Sequence, residues 1–60
     1  MSKVHIYQEF NSRDEAVAYV QRTLQLYPTF PYETDLSIKR VERPPLNKYA
    51  VTGSRYDSAD

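Results

Sequence analysis

Apolar and polar side chains alternate from Val4 to Phe10, with Val4, Ile6, Gln8 and Phe10 on one side and Lys3, His5, Tyr7 and Glu9 on the other. A period of two is the signature of a strand with one face covered. The period then lengthens. Ser12-Arg13-Asp14-Glu15 matches a capping box, in which the Ser12 hydroxyl accepts from the Glu15 amide while the Glu15 carboxylate reaches back. A helix is expected from Arg13. Its apolar stripe is Ala16, Val17, Val20, Leu24 and Tyr27, with Tyr19, Thr23 and Leu26 as a weaker stripe beside it. Pro28 cannot continue a helix and disfavours helical geometry at Tyr27, so the helix stops near Leu26 or Tyr27.

The segment from Tyr27 to Tyr32 reads as a stiff aromatic loop with no period of its own. Alternation resumes from Leu36 to Arg43, a second strand with Leu36 and Ile38 facing one way and Lys39, Val41 and Arg43 the other. Pro44-Pro45-Leu46-Asn47 interrupts it, since prolines donate no ladder hydrogen bond and asparagine accepts turn conformations. Lys48 to Tyr56 forms a third strand, with Tyr49 and Val51 opposite Ala50, Thr52 and Tyr56, and Gly53 is a candidate bulge. The expected architecture is α+β, a three-stranded sheet with one helix packed on one face in the order β-α-β-β. It forms a single domain over residues 1–56 with a frayed tail at 57–60. Strand order is open; were the first two strands parallel neighbours, the crossover would be right-handed.

One helix shields one face of such a sheet. Val4, Ile6, Leu36, Ile38, Tyr49 and Val51 belong under the helix, which leaves His5, Tyr7, Lys39, Val41, Arg43, Ala50, Thr52 and Tyr56 on an open face. Tyrosine and arginine are enriched where proteins meet partners, which makes this face the lead binding surface. Taken singly, each tyrosine is also explained as a strand former on a solvated face. Phe30 and Tyr32, held among prolines, are a second candidate: either a preformed apolar knob or, the favoured reading, a plug that folds back over the open end of the core.

Size sharpens this picture. Sixty residues with no cysteine and a single histidine have neither disulfide nor metal to reinforce a thin core, and a stability of about 3–9 kcal/mol is expected. Self-association or a partner is the remaining source of support. The chain has no apolar run long enough for a membrane span, no signal-peptide stretch at its amino terminus and no cysteine, so a cytoplasmic location is expected.

Eight basic residues balance eight acidic ones, which removes a global attraction to phosphate. Between Leu36 and Tyr56, however, five basic residues stand against Glu42 alone. Catalytic chemistry is poorly supplied: His5 is the only general base of its kind, Asp14 and Glu15 suit the helix dipole, and one glycine excludes a glycine-rich phosphate loop. Glu33 and Asp35 provide too few oxygens for calcium. No cofactor or metal is expected, and the chain is read as a non-enzyme.

Two functions of different class follow. The first is a protein-binding module that regulates or inhibits a larger protein, acting alone or as a homodimer, a habit common among small accessory regulators and phage or mobile-element inhibitors. The alternative is a single-strand nucleic-acid binder in which sheet tyrosines stack on bases while Lys39, Arg43 and Arg55 contact phosphates.

Overall fold

A computed structural model describes residues 2–57. Strand β1 (Lys3–Phe10) leads into helix α1 (Arg13–Leu26), a short helix α2 (Thr29–Tyr32), strand β2 (Asp35–Arg40) and strand β3 (Tyr49–Tyr56). The class is α+β, and the element order is β-α-α-β-β. The second helix is the departure from expectation. It is one turn with a break inside it, since Phe30 is extended (φ −114°, ψ 126°), and it ends where Glu33 adopts a left-handed conformation whose N–H donates to Thr29 O. Two prolines masked the helical period there.

The last strand takes the centre. β3 pairs antiparallel with β1 on one side and with β2 on the other, giving the order β1-β3-β2. β1 and β2 are therefore parallel to each other but separated by β3. Pairing continues past the strand ends: Asp57 N–H donates to Ser2 O (2.9 Å), and Ser2 N–H donates to Asp57 Oδ1 (2.8 Å). Asp57 is thus anchored, while residues 58–60 of the expected tail lie outside the described residues. β2 ends at Arg40, three residues earlier than alternation predicts, because the chain folds over after Arg40 and Val41 becomes buried.

The capping box forms with a shift of one residue. Ser12 Oγ accepts from Glu15 N–H (3.2 Å), but the Glu15 carboxylate accepts from the Asn11 amide instead of that of Ser12 (3.3 Å). α1 lies over β3, β1 and β2. Ala16 and Thr23 are its buried residues, so Thr23 of the weaker stripe packs inward while Leu26 is exposed. Alanine at the first contact brings the helix axis close to the sheet. Fully enclosed apolar volume is small: among the described residues Ala16, Ala50 and Val51 are the hydrophobic ones with no exposed surface, and Val51 is the largest of them. The Cα envelope measures 41 × 18 × 10 Å, and its thin dimension matches the roughly 10 Å separation of two packed layers. A third layer has no room in it.

Candidate functional site

Register assigns each strand residue to a face. Lys3, His5, Tyr7 and Glu9 of β1 stand opposite Tyr56, Ser54, Thr52 and Ala50 of β3, and Asp35, Ser37 and Lys39 of β2 stand opposite Ser54, Thr52 and Ala50. By alternation these share the face away from α1, with Ala50, Thr52 and Ser54 small along the central strand until Tyr56 at its end. The covered face carries Val4, Ile6, Leu36, Ile38, Tyr49 and Val51, as expected.

At one end of the open face, Tyr7, Lys39, Val41, Arg43 and Ala50, together with Arg40 and Glu42, line a hollow of about 540 Å³. Four of the sequence-derived candidates thus come together. Two of them change role. Val41 and Arg43 belong to the 41–48 connection and not to β2, and Val41 is buried along with Ala50, so both form floor and not display surface. The connection is held by Val41 N–H donating to Lys48 O (3.0 Å) and by Arg40, whose Nε and Nη2 both donate to Leu46 O (3.1 and 3.0 Å). That fork leaves the Leu46 side chain exposed at the loop tip.

Glu9, which alternation placed beside Tyr7 but which was not singled out, organises the hollow. Tyr7 Oη donates to Glu9 Oε2 (2.6 Å), and Arg43 Nη2 donates to both carboxylate oxygens (3.0 and 2.7 Å). The Tyr7 ring is thereby fixed while staying 58% exposed. The hydrogen bond from Tyr7, then that from Arg43, holds the Glu9 carboxyl below its usual range, and the same bond raises the Tyr7 hydroxyl above the usual phenol value. Any stability from Glu9 is present above the ordinary carboxylate value and is lost as pH falls through the lowered one. That from Tyr7 is present below the ordinary phenol value and is lost as pH rises through the raised one. The pair therefore holds between those two limits. Glu9→Gln is expected to bring the Tyr7 hydroxyl back toward its ordinary value, read as the phenolate absorbance difference between Tyr7-containing and Tyr7→Phe chains. An unchanged titration would show that Glu9 does not hold that proton.

Thr52 sits half-buried at the middle of the face, between Tyr7 and Ser37 in register. Tyr56 lies four residues further along β3, about 13 Å from Thr52 at strand spacing. It joins a different hollow, of about 610 Å³, with Lys3, Leu24, Thr34 and Asp35 among its walls. Phe30 and Tyr32 separate. Tyr32 is half-buried and packs edge-on to Tyr27 (5.3 Å, 87°), whereas Phe30 is 87% exposed and does not fold back over the core. Arg55 is on the covered face, its guanidinium 3.7 Å from the centre of the Tyr27 ring, and so stands apart from Lys39 and Arg43.

Ser54 lies between His5 and Asp35 across the sheet. Acyl transfer needs the histidine between the nucleophile and the acid, so this row is in the wrong order. Among the described residues there is no group of three or more acidic or histidine side chains placed to hold a metal ion, and no helix is long and apolar enough to cross a membrane. The chain matches no known family model, no curated protein and no solved structure.

Proposed function

We propose that the chain is a small non-enzymatic module that docks onto a larger protein through the open face of its sheet and thereby modulates that protein. The observation that carries this reading is the fixed, exposed Tyr7 ring beside a hollow lined by Lys39, Arg40 and Arg43 against Glu42. An aromatic anchor whose rotamer is already held loses little entropy on binding, and aromatic residues with arginine dominate binding energy at interfaces. Lys39, Arg40 and Arg43 outnumber Glu42 and Glu9, and with Arg43 already paired to Glu9 it is Lys39 and Arg40 that favour an acidic segment of the partner, one carrying an apolar side chain to meet Tyr7.

No observation favours the nucleic-acid alternative equally. Arg55 is stacked on Tyr27 on the opposite face, and part of Arg43's charge is met by Glu9. Phosphate binding gains from several free cations tracking one backbone.

The test is capture from native lysate on the immobilised chain, with the retained protein's affinity then measured for variants. Tyr7→Ala combined with Lys39→Glu is expected to weaken that protein about a hundredfold by removing an anchor and reversing a guiding charge. Gln25→Ala, on the exposed side of α1, should leave it unchanged. Equal retention by all three chains would place the contact elsewhere, and retention of nucleic acid that Lys39→Glu abolishes would support the alternative.

A further inference from the structure

Two strand edges are open, and they are unlike. β2 has six residues, three of them charged: Asp35, Lys39 and Arg40. β1 has eight, pairs without interruption by a bulge, contains no proline, and carries fixed charges only near its ends, Lys3 and Glu9. Natural edge strands are blunted by charge, proline or bulges, and the middle of β1 has none of these.

The phase of its free hydrogen bonds is known. Asp57 N–H donating to Ser2 O sets Ser2 as a bonded partner of β3, so by alternation the even-numbered residues of β1 bond to β3. Lys3, His5, Tyr7 and Glu9 therefore turn their N–H and C=O groups outward.

We propose that this edge pairs antiparallel with β1 of a second copy, about a two-fold axis through Ile6. A two-fold axis normal to the sheet keeps covered face beside covered face, which requires odd residues to pair with odd. Centred on Ile6, Lys3 meets the partner's Glu9 and His5 meets the partner's Tyr7, each twice, with roughly eight main-chain hydrogen bonds. Centring on His5 or Tyr7 leaves about six and separates Lys3 from Glu9. The register with the most hydrogen bonds is thus also the one that sets opposite charges face to face, and it brings half-exposed Ile6 against its own copy.

The interface is self-complementary and closes on itself. It yields a six-stranded sheet, β2-β3-β1-β1-β3-β2, whose two open faces run together. α1, centred over β3, stands about one and a half strand spacings from the axis, so the two helix axes lie roughly 14 Å apart, outside the 8–10 Å of direct helix contact. They do not collide. This pairing is independent of what the open face binds.

Sedimentation equilibrium from about 5 to about 500 µM should show the mass rising from one chain to two, as a micromolar dimer requires. Lys3→Glu and Glu9→Lys, each alone, place like charges opposite each other at two points and should weaken the dimer about tenfold or more; together they should restore it. Because Glu9→Lys also breaks the Arg43 ion pair, His5→Pro is the second probe. It removes an outward N–H and leaves the β1–β3 hydrogen bonds in place, so it should abolish the dimer with an unaltered circular dichroism spectrum. A single-chain mass throughout, a double variant as weak as the single ones, or a dimer indifferent to His5→Pro would each overturn the proposal. A strict monomer would leave the docking role of the open face standing.

Discussion

Gly53→Ala is expected to remove a large share of this protein's stability. Gly53 sits on the central strand opposite Ile6 on one side and Leu36 on the other. A Cβ placed there would fall onto the carbonyl oxygen of Asp35, and it would stand 2.9 Å from that carbonyl carbon and 3.0 Å from Leu36 Cα. These are backbone atoms of β2, which cannot swing aside as a flexible side chain would. Relief requires β2 to lift away from β3. Overpacking of this kind costs on the order of 3 kcal/mol, a large share of the roughly 3–9 kcal/mol available to 60 residues.

In a domain of this size each kcal/mol moves the melting temperature by about 4–8 °C, so a fall of at least about 12 °C, or loss of a cooperative transition, should appear in a thermal melt. Ser54→Ala, one residue on, should change it by no more than a few degrees. If the Gly53→Ala melt overlays that of the parent chain, the close β2–β3 approach is not present in solution.

Much of this architecture was legible in the chain. Ser12 with Glu15 at one end and Pro28 at the other bounded α1, because both act locally and need no tertiary partner. Period-two alternation put Val4, Ile6, Leu36, Ile38, Tyr49 and Val51 on one face, and register agrees. Strand order was harder, since alternation says which face a side chain takes and nothing about which strand is its neighbour. Nor does alternation foresee that the adjacent Ala50 and Val51 are both buried, Val51 on the face under α1 and Ala50 beside Val41 of the 41–48 connection.

The site was legible in part. Tyr7 and Lys39 follow from alternation, while the burial of Val41 and the reach of Arg43 to Glu9 follow from how the 41–48 connection folds over the sheet, which two prolines obscure. Arg55 counted toward a basic patch in sequence, yet strand parity sends it to the other face. Phe30 and Tyr32, either side of Pro31, look alike in sequence; in the fold Phe30 has an extended backbone and an exposed ring, while Tyr32 packs against Tyr27.

The account rests on α1 shielding one side of the sheet and a partner taking the other. Because the chain has no cysteine, a single introduced thiol reports on each side without interference. Ser37→Cys lies on the open face and Val51→Cys beneath the helix. In the free chain the thiol at position 37 should react with a small maleimide nearly as fast as in denatured protein, and that at position 51 at least a hundredfold more slowly, since it must wait for opening against about 3 kcal/mol or more. Adding the captured partner should then slow position 37 and leave a thiol at Gln25, on the outer side of α1, unaffected. Similar rates at 37 and 51 in the free chain, or protection at 25 in place of 37 in the complex, would contradict it.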